Sequence, residues 1–159
     1  MTDDVLTALD AARDDFVEAL GAVDADLVTV PGVMGDWSVR DLVVHVAAWA
    51  EHAAAALDLA TAGRGAEFAY STDETDAMNE RILAEGRSTS PGQALAREDA
   101  AFAGLRQRVE RLDPSLLGLR LGNGDTVDEV IRYDGPDHYA EHTGHLRAWF
   151  GTGDEPDEP

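Results

Sequence analysis

Five stretches of this chain repeat apolar residues at intervals of three and four, each bounded by capping residues, glycine or proline. That period is the mark of an amphipathic helix. Thr2 to about Leu20 opens the series, with Leu6, Leu9, Phe16 and Leu20 on one face. Asp3 and Asp4 sit in its first turn, where the helix dipole favours negative charge. Ser38 caps a second helix running to about Thr61, with Asp41 completing a variant capping box and Gly63 and Gly65 stopping it. Ser71 and Glu74 start a shorter helix to about Ala84, closed by Gly86. Ser90, Pro91 and Gln93 start a fourth, with Leu95, Phe102, Leu105 and Val109 facing inward, to about Leu112. Thr126 and Glu129 cap a short segment ending near Tyr133, and Pro136 restarts the chain as a last helix to Phe150. The run Leu27-Val28-Thr29-Val30 has β character but no partner strand, so it reads as loop. The expected fold is all-α: a four-helix bundle with an extra short helix and long crossover connections, one domain over 1–151. The acidic Gly/Pro-rich tail, 152–159, is expected to be disordered.

Composition removes several chemistries. The 159 residues contain no cysteine, which rules out disulfides, thiolate metal sites and a cysteine nucleophile. The net charge is −20, and all 12 basic side chains are arginine. Such a balance argues against nucleic acid, whose phosphates need clustered Lys and Arg, and against an anionic membrane surface. The N-terminus lacks the basic and apolar regions of a secretory signal, and no apolar run approaches a membrane span, so cytoplasmic residence is expected. The acidity itself reads as a solvated, self-repelling surface. A Gly-Asn-Gly loop at 122–124 resembles a phosphate loop only faintly: no strand precedes it and no lysine follows.

Histidine is where the chemistry gathers. Three of the five, His138, His142 and His145, lie in the last helix. His138 and His142 are four apart, which on a helix puts their Cβ atoms about 5–6 Å apart, close enough for one metal ion. His45, at the edge of the second helix's apolar stripe, is the candidate third ligand; His52 reads as surface. Asp41, four residues before His45, could orient an imidazole, though capping explains it better. Arg40 and Arg147 are on the right helices to offer a cation to an acidic substrate, but surface roles explain both. No serine sits in a nucleophile-elbow pattern; Ser38, Ser71 and Ser90 are caps.

The stretch Gly35 to Trp49, GDWSVRDLVVHVAAW, resembles the second-helix signature of the DinB-like metal-binding four-helix bundles, closest to the colibactin-self-protection and DfsB-like branch. The HYAEH segment at 138–142 resembles that branch's C-terminal helix, and His142 to Leu146 resembles its His-x-Gly-Gln-hydrophobic ending. The resemblance implies one divalent metal ion, Zn, Ni or Fe, on His45, His138 and His142. It places His145 where many relatives have Gln, leaving it as a fourth or substitute ligand. It also implies parallel pairing of the ligand helices, which spacing alone does not show, since an antiparallel pair with an offset also brings these histidines together. Three protein ligands leave coordination positions open, as catalytic sites do. The implied function is a metal-dependent enzyme acting on a small electrophile by thiol transfer or hydrolysis, in detoxification or self-protection. A low-molecular-weight thiol is the expected partner; catalytic residues other than the metal ligands are not indicated, and a homodimer stays open. The alternatives are a noncatalytic bundle that binds or sequesters a small molecule, and a mainly structural or oligomerising one.

Overall fold

The computed structural model describes residues 2–150. Its α-helices are α1 (Thr2–Gly21), α2 (Val39–Thr61), α3 (Thr75–Ser88), α4 (Pro91–Arg111), α5 (Val127–Asp134) and α6 (Pro136–Phe150). Single 3-10 turns punctuate the connections, and no strand occurs among the described residues. The fold is the expected all-α bundle. The expected tail at 152–159 lies outside the described residues.

The caps form as their sequences dictate. Ser38, Ser90 and Thr126 each accept from the backbone N–H three residues on, and the side chains of Asp41, Gln93 and Glu129 return the bond. These reciprocal bonds satisfy helix-start donors that would otherwise be orphaned. Ser71 and Glu74 make the same box, but around the 3-10 turn Thr72–Glu74, so α3 begins at Thr75. The segment around Leu27 is also a 3-10 turn, not a strand.

The long helices close a ring: α2 packs on α4, α4 on α1, α1 on α6, and α6 returns to α2. The short α3 lies against α2, and α5 bridges α2 and α6. Leu9 and Phe16 from α1, Leu42, Val46 and Leu57 from α2, Leu105 and Val109 from α4, and Tyr139 and Leu146 from α6 are buried in the core. Helix α2 is the central element. It alone among the described helices is long and apolar enough to cross a membrane, yet 72% of its apolar window is buried by the other helices. Its apolarity is therefore that of a core helix, buried on most sides.

Two glycines are fixed by close approach. Gly86 does not end α3, which runs on to Ser88. A Cβ there would lie 2.8 Å from Asp41 Oδ1 and 3.0 Å from Asp41 Cα, so only glycine lets α3 seat against the start of α2. Gly32 has φ +129°, and a Cβ on it would strike the ring of Trp149. The chain departs from an expected inward face at Leu95, which is 50% exposed.

Candidate metal centre

Each histidine is placed by a different kind of constraint. His45 follows from α2: the Ser38 box fixes where the helix starts, and His45 then lies two turns in, buried on the side of Trp49. His138 and His142 follow from α6, whose start is set by the kink at Gly135 and Pro136. Tyr139, between them, points the other way into the core, where it is fully buried. Its hydroxyl donates to Glu98 Oε1 at 2.7 Å, and the Thr143 hydroxyl donates to the Tyr139 carbonyl at 2.8 Å. These contacts fix the rotation of α6 and so aim His138 and His142 together.

Three imidazoles converge. His138 Nε2 lies 2.9 Å from His45 Nε2 and 2.9 Å from His142 Nε2. All three rings offer one ligand atom within 4.8 Å of the others. Two nitrogens bound at roughly 2.0–2.1 Å to one ion stand roughly 3 Å apart, so the separations suit a shared divalent metal. The set is all nitrogen and neutral, and carboxylates take no part in it. Burial, and next to it the neighbouring imidazoles, push the pKa of His45 and His138 down to about 3 and that of His142 down to about 2. Each ring therefore stays neutral at pH 7 and keeps a lone pair for coordination.

His145 is not the fourth member of this group. Its Nδ1 faces His142 Nδ1 at 3.2 Å, and the two rings stack with centroids 5.2 Å apart. Were His142 to hold a metal through Nε2, its Nδ1 would carry the proton and donate to His145, which would lock tautomer and ring orientation. The Nδ1 atoms of His45 and His138 are buried with no such partner among the described residues. Asp41 does not serve His45 either. Its Oδ2 accepts from the Ser38 backbone N–H at 2.9 Å, so capping is its role. His145→Ala is accordingly expected to weaken metal binding about 10–100-fold without changing the number of ions bound. Competition against a calibrated chelator measures this; a complete loss of metal would make His145 a ligand instead.

The cluster opens into a cleft of about 400 Å³. Trp37 meets the His45 ring edge-on at 4.7 Å, and Trp49 lies 6.4 Å from His138. The Trp49 indole N–H donates to Asn79 at 3.0 Å, and the Tyr70 hydroxyl donates to Thr75 at 2.7 Å. Asp134 and Glu141 add carboxylates to the lining. Burial, reinforced by Asp125, pushes the Asp134 carboxyl up to about 7. His52 is half-buried rather than on the surface, wedged between Trp49, Phe68 and Tyr70 at ring distances of 5.1, 4.9 and 4.6 Å. Arg40 does not reach this cleft; it lines a separate cavity.

The family model described as the mycothiol maleylpyruvate isomerase N-terminal domain matches residues 3–147. The chain belongs to the mycothiol maleylpyruvate isomerase N-terminal domain family. That family is DinB-like, so the superfamily inferred from the Gly35–Trp49 and His138–His142 stretches stands, while the finer branch is not carried by the match. Among solved structures, an uncharacterised protein of Escherichia coli UTI89 is similar at a TM-score of 0.81 and 17% identity. The alignment covers 96% of this chain and 94% of that one, which shows the shared fold. No curated protein matches the chain. For a member of the mycothiol maleylpyruvate isomerase N-terminal domain family, three clustered histidines that could hold a metal ion are the feature from which function has to be read.

Proposed function

We propose that this protein holds one divalent metal ion on His45, His138 and His142 and uses it to bring a low-molecular-weight thiol to a small electrophile. The observation that carries this reading is the convergence of three imidazole Nε2 atoms at the edge of an open cleft, with none of the lining carboxylates among them. The family's description points to mycothiol as the thiol. A metal bound there supplies Lewis acidity, which favours the ionised, nucleophilic form of a thiol at neutral pH.

The chain's own residues account for the rest. Trp37 and Trp49 cover two sides of the histidines and keep bulk water from them. Asn79 fixes the Trp49 ring through its indole N–H. Asp134, whose carboxyl titrates near neutrality, holds or releases a proton at a carboxyl oxygen on the cleft wall. The cleft volume of about 400 Å³ suits a small substrate beside the sulfur-bearing end of a larger thiol.

The test is a thiol titration of the cobalt-loaded protein followed in the visible spectrum. The expected outcome is intense thiolate-to-metal charge transfer, saturating at one thiol per metal. The same protein should then turn over a thiol with an electrophilic partner, and the His142→Ala protein should not. A spectrum unmoved by thiols and by small anions would mean a closed coordination sphere, and the catalytic reading would be withdrawn.

A further inference from the structure

On the side of α2 turned away from the histidines lies a second cavity, of about 360 Å³. Helical periodicity accounts for the division: Val43 and His45 are two residues apart and so point to opposite sides of the helix. Val17 and Leu20 from α1, Val28 from the following connector, Val43 from α2 and Leu95 from α4 give the cavity apolar walls. Two of these remain open to solvent at its rim, Val17 at 42% and Leu95 at 50%. Sequence periodicity had placed Leu95 in the core, and its exposure is explained if the cavity is filled by something other than this chain.

Arg40 sets the chemistry of the occupant. Its side chain is only 18% exposed, yet its guanidinium makes no hydrogen bond among the described residues. Its nearest carboxylate oxygen, Asp41 Oδ1, is 3.6 Å away, beyond hydrogen-bond range. Its Nε in particular is buried with no acceptor, which is costly and uncommon. The other arginine of the cavity behaves ordinarily. Arg13 grips Glu98 through both Nε and Nη2, at 3.2 and 3.0 Å, and reaches Asp99 at 3.0 Å. The lining thus carries two guanidinium groups against one carboxylate, Glu98; Arg13 is held by hydrogen bonds, and Arg40 only by the looser ion pair with Asp41 behind it.

We propose that this cavity is a second binding site, independent of the histidine cleft, for a small monocarboxylic acid with an apolar body whose carboxylate pairs with Arg40. A carboxylate fits the guanidinium fork in two parallel bonds, which a neutral acceptor cannot match. The volume lies near the lower end for ligand pockets and so favours a medium-length aliphatic or single-ring body. The chain's charge of −20 opposes any anion at long range. At physiological salt that repulsion is screened over about 8 Å, so the immediate lining decides.

Octanoate, titrated calorimetrically into the full chain, tests this. It should saturate at one per chain, whereas acetate, octanol and octyltrimethylammonium should bind at least about tenfold more weakly, because each lacks the apolar body or the negative head. Arg40→Gln should weaken octanoate by about tenfold or more. Val17→Glu, an exposed rim change that puts a negative charge at the mouth, should do the same with the helical spectrum unaltered. His142→Ala should leave octanoate binding intact, which keeps this site distinct from the metal centre. Octanol binding as tightly as octanoate, or Arg40→Gln binding octanoate like the parent, would overturn the proposal. So would self-association of the parent that Val17→Glu abolishes, since a second copy would then be the occupant.

Discussion

Metal-free protein is expected to lose stability steeply as pH falls from 7 to 5. His45, His138 and His142 are held neutral in the fold, with pKa values pushed down to about 3, 3 and 2 by burial and by one another. In the unfolded chain each titrates near the ordinary value of about 6.5. Below that pH the unfolded state binds protons that the folded state refuses, so their contribution is complete above 6.5 and is lost on acidification. Three such groups give a slope of up to about 4 kcal/mol per pH unit. Asp134 works against them. Its carboxyl, pushed up to about 7, keeps a proton in the fold that the unfolded chain releases from about pH 4 upward. The net slope between pH 5 and 6 is then about 2–3 kcal/mol per unit, against a total domain stability of about 5–15 kcal/mol. Urea unfolding of chelator-treated protein at pH 7, 6 and 5 measures it. Stability unchanged across that range, where most carboxylates are still ionised, would mean that the three rings are not held neutral.

Glu98→Ala is expected to cost about 3 kcal/mol of stability, toward the lower end for breaking a buried ion pair. Glu98 is 2% exposed and ties three helices together: α4 by its own position, α6 through the Tyr139 hydroxyl, and α1 through Arg13. Its removal leaves the fully buried Tyr139 hydroxyl without an acceptor and Arg13 with only the exposed Asp99. Arg13, one-fifth exposed and lying 4.7 Å over the Phe102 ring, recovers part of the loss through water. Tyr139→Phe removes only one neutral donor and should cost about 1 kcal/mol. Urea unfolding of both variants and of the double replacement isolates the coupling. A cost for Glu98→Ala no larger than for Tyr139→Phe would show that the buried pair contributes little.

Capping is local physics, and so the helix starts were legible. Ser38, Ser90 and Thr126 each meet a partner three residues on, and each forms the reciprocal bonds its sequence promised. What depends on contacts between distant segments was not. Gly86 reads as a helix stop until Asp41 is seen pressed against it. His52 reads as surface until Phe68 and Tyr70 arrive from the next connector. Leu95 carries the right period for the core, but faces a cavity that no helix among the described residues fills.

The same division runs through the site. The four-residue spacing of His138 and His142 placed them on neighbouring turns, His45 stood out at the edge of an apolar stripe, and resemblance joined it to them; the structure brings all three together. The spacing of His142 and His145 gave no sign that they meet through Nδ1, because that depends on side-chain rotation about one helix face. Asn79, Tyr70 and Asp134 belong to three different segments and carried no shared motif. One signal was available: Asp134 is one helical turn before His138, across the Gly135-Pro136 kink.

Metal content per chain tests the three-histidine site most directly. Protein loaded with zinc, nickel or iron, freed of loose ions on a desalting column and assayed by mass spectrometry, should hold one ion. His142→Ala should hold none, because two ligands on separate helices remain. His52→Ala should hold as much as the parent, since that ring packs among aromatics outside the cluster. Retention of a full ion by His142→Ala, or its loss from His52→Ala alone, would contradict the site built from His45, His138 and His142.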